Sequence, residues 1–245
     1  MKKRRLKLRH YIEIVLLAVV IIAGVGFAKW VGNSYQPNDK AIEACNENDK
    51  VTVTQEDYIE FMPKETPTKG FIFYPGGLVE PEAYAPLCRK IAEQGYLVVI
   101  APMTCNLAIL SPDKAESIQQ KYEYIKTWAI GGHSLGGVMA SKYASTHSSI
   151  SGVVLYASYP QSDELENMDI KVLSLYGSMD GVAKLSKVKE ATLSKDAKVK
   201  EIAGGNHSYF GSYGLQNGDN EASITSDEQL EQAAKETIEF LSTLN

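Results

Sequence analysis

The sequence predicts an α/β fold with a mostly parallel central sheet and helices on both of its faces. Three observations carry this. Short apolar runs recur along the chain: Gly70 to Tyr74, Tyr96 to Pro102, Trp128 to Ile130, Gly152 to Ala157 and Val172 to Gly177. They are continuous rather than alternating, as strands covered on both faces are. Segments of helical periodicity lie between them, as the crossovers of a parallel sheet require. The third observation is Gly132-His133-Ser134-Leu135-Gly136, with the apolar run from Trp128 before it and the helix-compatible run Val138 to Ala144 after it.

The chain opens with Lys2, Lys3, Arg4, Arg5, Lys7 and Arg9, six positive charges in ten residues. The net charge of the whole chain is −5, so the remainder carries −11. An acidic body argues against nucleic acid as a partner. Residues 1–10 read as a cytoplasmic basic flank and residues 11–32 as a transmembrane anchor, because Ile14 to Ala28 is apolar without a charge. This orientation places the body outside the cell, held on the membrane by a single pass. The alternative is a signal peptide, cut near Gly26-Phe27-Ala28 and leaving a secreted protein. Residues 33–50 are polar, contain Pro37, and read as a linker.

Residues 51–245 form the predicted domain. Val51 to Val53 and Tyr58 to Phe61 suit an edge pair of strands. Pro81 to Gln94 is helical and stops at Gly95, and Asp113 to Lys126 is an amphipathic helix. Lys184 to Leu193 and Asp227 to Leu244 are further helices, and Ala197 to Ile202 is the last strand. Only Tyr159 to Lys171 separates two strands at the point where a lid domain would be inserted, which is too short to hold one. Tyr209 to Ser226, with its glycines, reads as a mobile flap. Three cysteines, Cys45, Cys88 and Cys105, are too few for a disulfide framework; one bridge, most simply through Cys45, and three buried thiols both stay open.

The chemistry starts from Ser134. A tight strand-to-helix turn strains the central residue and presents its hydroxyl at a helix N-terminus, where a developing negative charge is favoured. A serine needs an adjacent base. Of the four histidines, His10 lies in the basic flank, His133 inside the turn and His147 at a helix end. His207 alone follows a strand downstream of the serine, at the sheet edge where functional groups collect. The base needs an acid to hold its tautomer. Asp180 follows the strand from Val172, while Asp163 and Asp169 belong to the preceding connection. For the oxyanion, the backbone N–H of Leu135 is one expected donor. The second comes from the glycine turn Pro75-Gly76-Gly77-Leu78, through Gly77 or Leu78.

Taken together, Tyr74-Pro75-Gly76-Gly77, Gly132-His133-Ser134-Leu135-Gly136-Gly137, Tyr176-Gly177-Ser178-Met179-Asp180 and Gly205-Asn206-His207 resemble the α/β-hydrolase superfamily. The likeness is to its small lidless branch of dienelactone-hydrolase-like proteins, and it spans residues 51–245. The order Ser134, Asp180, His207 is that of this superfamily. Dienelactone hydrolases use cysteine where this chain has Ser134, so the resemblance implies a general carboxylic ester hydrolase acting on a small-molecule ester through an acyl-enzyme. Peptidase or acyltransferase chemistry uses the same parts, and a non-catalytic binding protein on a hydrolase scaffold is the rival reading. No phosphate loop, HExxH or dinucleotide fingerprint is present, and neither cofactor nor metal is expected. Asp219 and Glu221 hint at calcium, but their spacing matches no known loop. Oligomeric state is not encoded in any feature of the sequence.

Overall fold

The computed structural model describes the backbone of residues 2–245; within the first helix it describes the side chains of His10, Glu13 and residues 15–31. The chain divides into two compact units, Met1–Ser34 and Tyr35–Asn245. The first unit is a single helix, α1 (Lys2–Val31), where the anchor is expected. Among the described residues no helix is long and apolar enough to cross a membrane. Residues 1–9 of the basic flank, and Tyr11, Ile12 and Ile14 of the expected span, lie outside the described side chains. The run that is described, residues 15–31, falls short of the ~20 residues a bilayer crossing takes.

In the second unit, eight strands form one sheet in the order β1-β2-β4-β3-β5-β6-β7-β8. They are β1 (Val51–Gln55), β2 (Ile59–Pro63), β3 (Lys69–Tyr74), β4 (Leu97–Ile100), β5 (Thr127–His133), β6 (Ile150–Tyr156), β7 (Lys171–Gly177) and β8 (Lys198–Ile202). β2 runs antiparallel to both of its neighbours, β1 and β4. From β4 through β8 every pairing is parallel. The helices of this unit are α2 (Asp39–Ala44), α3 (Ala85–Ala92), α4 (Lys114–Lys121), α5 (Leu135–Thr146), α6 (Leu185–Lys189) and α7 (Ser226–Ser242).

The continuous apolar runs become strands with both faces covered. Phe71 and Phe73 of β3 join a core that includes Leu87 and Ile91 of α3 and Leu230 and Phe240 of α7. Ile72 and Tyr74, one step along in register, join a second core with Ile118 of α4 and Met139 and Tyr143 of α5. Successive side chains of a strand point to opposite faces, so each run supplies both cores. α7 starts with a capping box, Thr225 and Glu228 each accepting from the other's backbone N–H.

Two segments differ from their sequence reading. Residues 33–50 were expected as linker, yet the compact unit begins at Tyr35, which pairs with Val79 in a parallel bridge. Asn38 caps α2 by accepting from the Ala41 N–H, and Ala41 and Ala44 are buried. The polar residues of this stretch are local caps and turn formers rather than solvated spacer. α4 ends at Lys121, short of the expected Lys126, because Tyr122 and Ile125 turn into the core and lead the chain to β5. All three cysteines are free thiols, with burial raising Cys45 to about 11, helped by the nearby Glu82 carboxylate.

Candidate active site

Ser134 joins β5 to α5 with φ 51° and ψ −121°. The left-handed φ is uncommon for a residue with a Cβ. Two glycines make it attainable. A Cβ on Gly136 would lie 2.1 Å from the Tyr74 carbonyl oxygen, and one on Gly132 2.6 Å from the same atom. The turn is then pinned at both ends of the residue. The Ser134 N–H donates to the Tyr156 carbonyl at 3.0 Å, and the Ser158 hydroxyl donates to the Ser134 carbonyl at 2.7 Å.

His207 lies just beyond β8, and Asp180 just beyond β7. Their loops meet closely because Gly177 has no side chain: a Cβ there would lie 2.4 Å from the Gly205 carbonyl. His207 Nδ1–H donates to Asp180 Oδ2 at 2.9 Å, with the histidine side chain 1% and the aspartate side chain 0% exposed. The other carboxylate oxygen, Oδ1, accepts from the Val182 N–H at 2.8 Å and the Ala183 N–H at 2.7 Å. With the Nδ1 proton held by a carboxylate, neutral imidazole carries none on Nε2. His207 Nε2 is buried and has no hydrogen-bond partner among the described residues. Asp163 and Asp169, the other candidate acids, are exposed.

Ser134 and His207 line one cavity of about 270 Å³, walled by Leu135, Val138, Ala157, Tyr159 and Val182 among others. Of the expected oxyanion donors, Leu78 is already engaged: its N–H donates to the Asn106 carbonyl at 2.8 Å. The N–H of Gly77 has no such bond among the described residues, and a Cβ on Gly77 would come 3.2 Å from Leu135 Cδ2. Gly77 thus packs against the Leu135 side chain. Which amide is spent depends on the turn at Cys105 and Asn106, both at left-handed φ, and no sequence signal marks that turn.

The segment read as a flap is tied down instead, and Asp219 is the residue that sequence reasoning misjudged. Its Oδ1 accepts from the Gly181 N–H at 2.9 Å and the His207 N–H at 3.3 Å. Its Oδ2 accepts from the Ser208 N–H at 2.8 Å and the Ser208 hydroxyl at 2.6 Å. One carboxylate therefore clasps the loop of Asp180 to the loop of His207. Ringed by N–H and O–H donors, it suits a bare anion rather than the cation ligand its spacing to Glu221 hinted at. Elsewhere in the segment, the Asn38 N–H donates to the Ser212 carbonyl, and the Ser212 N–H to that of Ala83. Gln229 of α7 holds the His207 loop from behind, exchanging two hydrogen bonds with the backbone of Asn206.

Residues 70–231 match the sequence profile of the Alpha/beta hydrolase family. No curated protein sequence matches the chain. Among solved structures, a predicted CIB-like hydrolase from Thermoplasma acidophilum superposes with a TM-score of 0.58 at 16% identity, covering 79% of this chain and 100% of its own. Est1E from Butyrivibrio proteoclasticus, in a structure with ferulic acid bound, gives a TM-score of 0.60 at 15% identity, over 81% of this chain and 97% of its own. At such identities the likeness is one of fold.

The Asp219 clasp has a pH signature. Burial alone would raise its pKa, but the hydrogen bonds from Ser208, Gly181 and His207 outweigh burial and lower it. A carboxylate with a depressed folded-state pKa contributes stability that is present above its unfolded value, near 4, and is lost as pH falls through the folded one. Asp219→Asn is expected to cost about 2 kcal/mol at pH 7, as for loss of hydrogen bonds to a charged group. In urea titrations the gap to wild type should narrow below pH 4; an equal gap at pH 3 and pH 7 would refute the clasp.

Proposed function

The chain belongs to the α/β-hydrolase family, and from that premise we propose that it is a serine hydrolase of carboxylic esters. One observation carries the reading. Among the described residues every polar atom of His207 has a partner except Nε2, and that residue shares a cavity with the strained Ser134. In this reading Ser134 Oγ attacks the ester carbonyl carbon while His207 Nε2 takes its proton. Asp180 holds the imidazole in the tautomer that can accept, and steadies the imidazolium that forms. The tetrahedral oxyanion sits against the amides of Leu135 and Gly77 at the start of α5, whose dipole adds to their pull. His207 returns the proton to the departing alcohol. A water molecule then repeats the sequence on the acyl-enzyme, releasing the acid and restoring Ser134.

The reading also includes membrane attachment through α1. Ile14 to Ala28 is an uninterrupted apolar run behind six positive charges, and Val15, Leu17, Val20 and Ile22 of the described part are 60 to 71% exposed. Apolar side chains bared on this scale call for an apolar medium.

Three outcomes follow from these features. Ser134→Ala and Asp180→Asn should each lower kcat on a nitrophenyl ester by about 10⁴, by comparison with serine proteases, with folding checked by circular dichroism. Asp163→Asn and Asp169→Asn should stay within about tenfold of wild type, as surface substitutions do; the reverse pattern would move the acid. The cavity of about 270 Å³ buries few methylenes, each worth about 0.8 kcal/mol. Butyrate esters should accordingly show higher kcat/KM than dodecanoate esters, and the opposite order would contradict the small acyl site. Finally, the full chain should sediment with membranes and resist carbonate extraction, whereas a chain starting at Asn33 should be soluble and active. A native N-terminus found near Lys29 would show cleavage instead.

A further inference from the structure

His133 is a buried titratable side chain without a role in this chemistry. It immediately precedes Ser134 and is 0% exposed. Its ring centroid lies 4.5 Å from that of His207, and its Nε2 lies 3.0 Å from the His207 carbonyl oxygen. A carbonyl only accepts, so Nε2 carries the proton and Nδ1 is an acceptor. The donor to Nδ1 is the Tyr84 hydroxyl at 2.9 Å. Tyr84 Oη in turn accepts the Gly76 N–H at 3.0 Å. The directions of all three bonds are thus determined: Gly76 N–H to Tyr84, Tyr84 O–H to His133, His133 N–H to the His207 carbonyl.

We propose that His133 and Tyr84 are positioning residues, whose buried chain of hydrogen bonds sets the base loop at a fixed distance from the oxyanion loop. The proposal rests on the roles given above to Ser134, His207 and Gly77. His133 is joined covalently to the nucleophile, through Nε2–H to the backbone of the base, and through Tyr84 to the residue beside Gly77. One ring therefore references all three groups that meet the substrate carbonyl. Gly76 is part of the device: a Cβ there would lie 2.7 Å from Tyr84 Oη and 2.8 Å from His133 Nδ1. Only a neutral imidazole donates at one nitrogen while accepting at the other. Burial, with His207 adding to it, holds His133 well below the usual histidine range, which keeps that form. The device acts on the geometry of the reacting groups and not on the binding of the substrate, so it bears on kcat and leaves KM alone.

The test compares full-length wild type, Tyr84→Phe, His133→Leu, His133→Gln and Ser134→Ala, measuring kcat and KM for p-nitrophenyl butyrate together with thermal melting. Tyr84→Phe should lower kcat about tenfold and His133→Leu about a hundredfold, with KM within about twofold, as for displaced supporting groups. His133→Gln keeps an N–H for the His207 carbonyl and should recover about tenfold over the leucine variant. Wild-type kcat in Tyr84→Phe and His133→Leu, with Ser134→Ala inactive, overturns the positioning role and leaves the triad standing. A glutamine variant no better than leucine overturns it as well. Activity retained by Ser134→Ala refutes the triad itself, and the positioning role with it. Should His133→Leu not fold, Tyr84→Phe decides, since it removes a single oxygen: an unchanged kcat overturns the proposal, and a tenfold loss at constant KM supports it.

Discussion

Ser134 occupies a backbone conformation, φ 51° and ψ −121°, that costs on the order of 1–3 kcal/mol and survives only where its surroundings enforce it. Much of the sheet's central architecture serves as that enforcement. β5 runs between β3 and β6, so the turn after it leaves from the middle of the sheet. There the Tyr156 carbonyl meets the Ser134 N–H, and Gly132 and Gly136 close against the Tyr74 carbonyl with no room for a methyl group. A side chain at either glycine would push the elbow away from the end of β3. The loop after β3 carries Gly77, so the same close packing that strains the serine also brings Gly77 against the Leu135 side chain.

His207 is held differently, by polar contacts on several sides. His207 donates a hydrogen bond from Nδ1–H to Asp180 and one from its backbone N–H to Asp219, and its carbonyl accepts from His133 Nε2–H. These partners come from the loop after β7, the segment before α7, and the end of β5. Each bond is modest, but in a buried site an unpaired partner is costly, so the three reinforce one another. The result is a loop residue with a geometry normally found in regular secondary structure.

What could be read from the sequence was what local backbone physics controls. Continuous apolar runs such as Phe71 to Tyr74 and Val153 to Tyr156 have one solution, a strand covered on both faces. Gly132-His133-Ser134-Leu135-Gly136 between a strand and a helix encodes its own strained turn, because the glycines and the serine lie within a few residues. The positions of Asp180 and His207 followed from the edge at which parallel strands end. Local reading faltered where short polar segments were judged by composition. Asn38 is a helix cap in a stretch that resembles a linker, and Asp219 is an anchor in a stretch that resembles a flap.

The tertiary structure alone decided which groups meet. The loss of the Leu78 amide to Asn106, the clasp of Asp219 and the chain from Gly76 through Tyr84 and His133 all join residues from separate loops. A hydrogen bond forms or fails within a few tenths of an ångström. That distance is set by how whole strands and helices pack, through contacts such as Gly177 against Gly205, and no pattern of residue types along the chain carries it. The sequence by itself determined the kinds of element and the motif that the chemistry uses; the packing of those elements determined which hydrogen bonds complete the site.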